Sequence, residues 1–223
     1  SICDDCIEDI NTKTNHRYNY ALTNCTNCGP RYSIIETVPY DRCNTSMKNF
    51  ELCSFCKAEY EDPTNRRYHA QPVACKSCGP KVTLYDNKNS FIQSDVEAIE
   101  SLATLINKGH IVALKGLGGF HIVCDATNTK AVELLRQRKK RPVKPLAVMF
   151  KNIDEIDKYA KPTSLEREHL NSKEKPIVLI DKIKKSPLSE EVAPYISKIG
   201  CFLPYTPLHH ILFKYLKNPV VAT

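Results

Sequence analysis

From residue 94 onward, apolar positions alternate between helical and extended patterns. Ser94 followed by Glu97 reads as a capping box, and Val96, Ile99, Leu102, Ala103 and Ile106 then recur at helical spacing until Gly109 stops the helix. Residues 111–114 form a short apolar run that predicts a buried strand, and residues 120–124 predict a second one after a glycine-rich turn. A helix over 129–140 is expected to carry Val132, Leu134 and Leu135 inward and to end before Pro142. A strand over 146–150 follows, Asn152 caps a short helix to Tyr159, and a further helix occupies 163–170. Strands are predicted over 177–180 and 199–203, and Thr206-Pro207 is a cap and first-turn signal for a helix over 208–216. Residues 220–222 begin one more strand, with nothing after it to cover the sheet edge or pocket wall it would leave. Alternation of this kind predicts an α/β or α+β layer domain over residues 89–223, cut short at its C-terminus.

Residues 1–88 lack that periodicity: only scattered Tyr, Ile and Val interrupt a polar sequence, and a polar turn at 86–89 marks the change. What organises this part is cysteine. Eight of the eleven cysteines form four Cys-x-x-Cys pairs, Cys3/Cys6, Cys25/Cys28, Cys53/Cys56 and Cys75/Cys78, separated by 18, 24 and 18 residues. Each such turn aims two sulfurs at one point, and two turns complete an all-thiolate tetrahedral site with no open position, which makes a structural zinc site. Disulfides fit less well, because sulfurs two residues apart bridge poorly and no signal peptide or transmembrane stretch precedes the array. A redox motif would be expected once, not four times. The array is also an internal repeat at an offset of 50 residues: Asn15, Arg17 and Tyr18 recur as Asn65, Arg67 and Tyr68, and both units close on Cys-Gly-Pro before an extended run at 32–35 and 82–85. Two small zinc-ribbon-like repeats, 3–34 and 53–84, are therefore predicted, with two zinc ions in total. Pairing within each repeat and pairing interleaved between them have the same stoichiometry. His16 and His69 occupy non-equivalent positions, which argues against either as a ligand, and Cys43, Cys124 and Cys201 read as free thiols.

The formal net charge of +7 points to an anionic partner such as a nucleotide, a phosphate or RNA. Its distribution says more. Between Leu134 and Ile153 there is no acidic residue, while Arg136, Arg138, Lys139, Lys140, Arg141, Lys144 and Lys151 crowd together. A run at a helix end serves the macrodipole as a solvated face, but Arg141-Pro142-Val143-Lys144-Pro145 is a rigid connection that holds cations next to a strand end. Lys115-Gly116-Leu117-Gly118-Gly119 directly follows another strand; it has neither Walker A nor dinucleotide-fingerprint spacing, so by itself it is a turn with a lysine. Together the two segments suggest a polyphosphate site.

The two Cys-x2-Cys-x18-Cys-x2-Cys repeats, then Lys-Gly-x-Gly-Gly-Phe-His, Arg-x-Arg-Lys-x-Arg-Pro-x-Lys-Pro-Leu-Ala and the stretch from Leu203 to His209, resemble the hydrogenase-maturation carbamoyltransferases of the HypF family over nearly the whole chain. The second part is similar to that family's YrdC-like domain, shared with the threonylcarbamoyl-adenylate synthases of tRNA modification. The resemblance implies carbamoyl adenylate formation from ATP, with Mg2+, and carbamate derived from carbamoyl phosphate, followed by transfer to the C-terminal cysteine of HypE. It implies Lys115, Lys139 and Arg141 as phosphate contacts with Arg138 and Lys144 nearby, and Gly116, Gly118, Gly119 and His121 as pocket lining. No catalytic acid or base is implied, since carbamate is already an anion. The acylphosphatase-like domain and the large transfer domain of the family are not found in this sequence, and the Ser-x-Asn stretch expected soon after residues 220–223 is missing. Reduced thiols and the lack of a targeting segment imply the cytoplasm and no membrane partner. Two other functions compete: an RNA-binding or tRNA-modifying protein, against which stands the absence of clustered basic and aromatic residues in the repeats beyond Tyr18, Tyr20 and Tyr68, and a zinc docking module without catalysis.

Overall fold

The computed structural model describes residues 1–223 and divides into two compact units, Ser1–Glu100 with Thr206–Ile211, and Ser101–Tyr205 with Leu212–Thr223. In the first unit the repeat is visible in the backbone. Helices α1 (Asp4–Asn11) and α2 (Ser54–Glu61) start immediately after Cys3 and Cys53, and Asn19 and His69, 50 residues apart, both adopt left-handed backbone with φ of 56° and 50°. The first cysteine pair of each repeat is thus carried at a helix start. The extended runs also diverge. Thr83–Tyr85 forms β1 and pairs antiparallel with β2 (Phe91–Ser94), whereas Tyr32–Ile34 winds into a 3-10 turn and Ile35 makes only an isolated bridge to Thr45. A strand persists where it has a partner strand. Helix α3 (Asp95–Asn107) follows β2.

The second unit is built on a six-stranded mixed sheet of β3 (Val112–Lys115), β4 (Phe120–Asp125), β5 (Ala147–Met149), β6 (Val178–Asp181), β7 (Lys198–Phe202) and β8 (Val220–Ala222), in the order β3-β4-β8-β5-β7-β6. Only β5 and β7 run parallel. The expectation that residues 220–222 leave an open edge is therefore corrected: β8 lies inside the sheet, paired with β4 on one side and β5 on the other. Val220, Val221 and Ala222 are all buried, as a strand covered on both faces requires.

On one face, Cys124, Val148, Cys201 and Val221 form a row across four strands. Ala131, Val132 and Leu135 of α4 (Thr129–Lys139) belong to the same core, with Ile156 of α5 (Ile153–Ile156) and Leu170 of α6 (Ser164–Asn171). Leu134, expected to point inward, is 38% exposed, because it lies about 100° around the helix from Leu135. Helix α4 is capped by Asn128, whose side chain accepts from the Ala131 N–H, and it stops where Lys140 turns left-handed at φ 49°. Helix α7 (Pro207–Leu212) begins at the predicted Thr206-Pro207 signal and is shorter than expected.

Candidate functional site

The eight paired cysteines gather into two groups, Cys3, Cys6, Cys25, Cys28 and Cys53, Cys56, Cys75, Cys78, the sulfurs of each all lying within 4.8 Å of one another. Pairing is thus within repeats. Sulfur–sulfur separations are 3.6 Å for Cys3–Cys25, 3.9 Å for Cys25–Cys28, 3.8 Å for Cys53–Cys75 and 3.7 Å for Cys75–Cys78. A tetrahedral zinc with Zn–S bonds of about 2.3 Å has edges of about 3.8 Å, so one ion fits at the centre of each group. Four thiolates packed this closely repel one another, so they ionise together only around a cation. Four sulfurs also close the sphere, which leaves no position for substrate.

Neither histidine joins a group. His16 Nε2 lies 3.1 Å from Cys75 Sγ, and since a zinc-bound thiolate only accepts, the imidazole donates to it. His69 is exposed and stacks on Tyr60 with ring centroids 5.0 Å apart. Cys43 is exposed, and burial pushes Cys124 and Cys201 up to about 12, keeping both as neutral thiols. The segment between the repeats is fastened by Arg42, whose guanidinium donates to the carbonyls of Gln71 (2.6 Å), Val73 (2.8 Å) and Phe50 (2.7 Å).

In the sheet unit, the glycine turn, the basic connection and Thr223 meet at one end of the strands. Lys115 pairs with Phe120, and Ile122 exchanges both backbone hydrogen bonds with Thr223, at 2.8 and 3.1 Å. Residues opposite each other, and those two apart, share a face, so Lys115, Phe120, Ile122 and Thr223 all project to the side of Cys124 and Val221, where α4 packs. Lys139 Nζ and Arg141 Nη1 each donate to Thr223 Oγ1 at 3.4 Å. Lys115 Nζ sits 5.0 Å above the Phe120 ring on the same side. Arg138 and Lys144 are exposed. His121 belongs to the other face, its Nε2 3.4 Å from the Tyr205 hydroxyl, and its ring packs beneath the turn near Gly116.

The turn itself is closed by Gly116 N–H donating to Gly119 C=O at 2.7 Å. A Cβ on Gly118 or Gly119 would meet nothing within 4 Å, so these glycines leave bare backbone and open space instead of relieving strain. Sequence reasoning missed Arg136. Counted there with the basic run, it is 5% exposed and turned inward, donating to the carbonyls of Glu191 (2.6 Å), Arg141 (2.8 Å), Lys144 (3.1 Å) and Val192 (3.2 Å). It shapes the connection that presents Arg141 and Lys144. Helical periodicity held the signal, since Arg136 follows Val132 and Leu135 on the apolar side of α4.

Residues 2–35 and 52–85 each match the family described as HypF finger, and residues 104–223 match the Sua5, YciO and YrdC family described as Telomere recombination. A carbamoyltransferase HypF from Synechocystis is 52% identical over all of this chain, which spans 29% of that protein. The chain belongs to the HypF family. A probable carbamoyltransferase HypF from Methanocaldococcus jannaschii is 46% identical over 96% of the chain and 28% of its own length. Among solved structures, T. kodakarensis HypF superposes with a TM-score of 0.95 at 48% identity, covering all of this chain and 29% of its own. A full-length HypF in a phosphate- and nucleotide-bound form gives 0.90 at 42% identity, with the same coverage. P. abyssi Sua5, at 19% identity and a TM-score of 0.52 over 58% of this chain and 38% of its own, shares the fold. The two HypF-type fingers and their sulfur geometry make two structural zinc sites. No helix is long and apolar enough to cross a membrane.

Proposed function

We propose that this chain contributes the adenylate-forming part of a HypF carbamoyltransferase, working in the cytoplasm, where thiols stay reduced for zinc. The observation that carries the reading is the meeting of Lys139 and Arg141 on Thr223 Oγ1, beside an open glycine turn and on the sheet face of Lys115. Three cations at one end of the sheet, with bare glycine backbone there, suit a triphosphate. The nucleotide site comprises Lys115, Gly116, Gly118, Gly119, Arg138, Lys139, Arg141 and Lys144, with His121 beneath the turn. ATP enters with magnesium. A carbamate oxygen attacks the α-phosphorus, the bond from that phosphorus to the bridging oxygen breaks, and pyrophosphate leaves with its electron pair, so that carbamoyl adenylate forms. Negative groups converge in this step, and positioned cations lower its barrier without a general base. Carbamate comes from carbamoyl phosphate, and the acceptor is the C-terminal cysteine of HypE.

The relative solved with phosphate and nucleotide bound supports a nucleotide reading. Titration of the chain with ATP and magnesium, with and without carbamoyl phosphate, tests it. Saturable binding that Arg141→Ala weakens by about 1.5–3 kcal/mol, the range for a charge-assisted hydrogen bond, is expected. Binding unchanged by that substitution would place the nucleotide elsewhere.

A further inference from the structure

The two zinc repeats hold each other's sulfur sites. Arg17, in the first repeat and 1% exposed, donates through Nη2 to Cys56 Sγ of the second site at 3.3 Å and through Nε to the Ala74 carbonyl, next to Cys75, at 2.9 Å. The second repeat answers in kind. Arg66 Nη1 donates to Cys6 Sγ of the first site at 3.0 Å, and Arg67 Nε to the Asn24 carbonyl, next to Cys25, at 3.1 Å. Arg17 and Arg67 are 50 residues apart, as are Ala74 and Asn24, so the two carbonyl braces are copies of one contact related by the repeat, while the sulfur donors Arg17 and Arg66 occupy non-equivalent positions. His16 of the first repeat adds a donor to Cys75 Sγ of the second. Two acids tie the cations together: Glu59 accepts from Arg17 at 2.5 Å and from Arg67 at 3.1 Å, and Asp9 pairs with both Arg66 and Arg67.

Four thiolates around a divalent ion carry a net charge of about −2, and in a partly buried setting that charge is stabilised by hydrogen-bonded cations. Here the cations come from across the repeat boundary. We propose that the two zinc sites load and release their metal as one coupled unit, with Arg17, Arg66 and His16 acting as positioning residues for the zinc of the opposite repeat. The consequence is mechanical as well as electrostatic: a repeat that loses its ion loses the fold that holds its arginine against the other site. The first zinc to bind therefore prepares the second site, and a singly loaded chain is a minor species.

Native mass spectrometry of the chain at half-saturating zinc, paired with competition against a chromophoric chelator, tests this. Zinc-free and two-zinc chains should dominate, with the one-zinc form well below the statistical level for independent sites. A one-zinc form at or above that level overturns the coupling. Cadmium-113 resonances of the loaded chain supply a site-resolved readout. Arg17→Gln, which keeps a polar side chain and removes the charge, should shift the resonance of the Cys53–Cys78 site more than that of its own repeat and lower zinc affinity by about 10–100-fold, the usual cost of losing an outer partner of a metal ligand. If it shifts only the Cys3–Cys28 resonance or leaves affinity unchanged, the cross-repeat role is wrong. Should Arg17→Gln not fold, His16→Gln, at a half-buried position with a single sulfur contact, carries the same comparison.

Discussion

Arg136 and Arg138 stand two residues apart in one basic run and do opposite things. Arg136 is enclosed and donates to the carbonyls of Glu191 and Arg141, whereas Arg138 lies in solvent. Removing the first strands those acceptors away from water, so Arg136→Ala should lower stability by roughly 3 kcal/mol in urea unfolding. Arg138→Ala should stay within about 0.5 kcal/mol. Thiols divide in the same way. Cys43 is exposed, eight sulfurs belong to zinc, and Cys124 and Cys201 are buried and held neutral. Alkylation of the native zinc-loaded chain near pH 8 should therefore label one thiol quickly, and Cys43→Ala should abolish that fast phase; more than one fast thiol would mean that a zinc site opens under native conditions.

At the scale of elements, α6 lies where a helix over 163–170 is predicted, and its start is fixed by a complete capping box: the Thr163 side chain accepts from the Glu166 N–H and the Glu166 carboxylate accepts from the Thr163 N–H. Thr163→Ala should cost about 1 kcal/mol by thermal or urea unfolding. Strand β8 was located correctly, but its neighbours were not. An apolar run of three residues has no information about its partners, and pairing with β4 and β5 follows from how the whole sheet closes. Amides of β8 that bond to those strands should exchange with solvent far more slowly than the outward-facing amides of the edge strands β3 and β6. Rapid exchange at Val221 would contradict the internal position.

At the scale of the molecule, zinc stabilises one unit directly and the other has its own core. The finger repeats bury few large apolar side chains, the small cluster around Tyr20, Met47 and Ala74 being typical, so structural zinc, at around 10–16 kcal/mol in comparable peptides, carries much of their fold. The sheet core around Leu135, Val148, Ile180 and Val221 contains no zinc ligand. Chelation should therefore unfold both repeats together and leave amide protection in the sheet. Cys25→Ser should have the same effect as chelation, because cross-repeat arginines make the fingers one structure. Loss of the first repeat alone would refute that.

Local chemistry was open to direct reading. The Cys-x-x-Cys spacing determined the zinc ligands and their number, since two sulfurs three positions apart converge regardless of what surrounds them, and apolar periodicity placed most helices and strands. The resemblance of motifs named the family, and the glycine turn and basic connection marked candidate phosphate contacts. What only the tertiary structure decided were relations between distant residues: which cysteine pairs share an ion, that Arg136 turns inward while Arg141 reaches Thr223, that His121 faces away from Lys115, and that arginines cross between repeats. The reason is physical. Spacing along the chain governs groups within one turn or one strand, but burial and charge pairing depend on which surfaces the folded chain brings together, and those contacts reach from about 20 to more than 80 residues along the sequence.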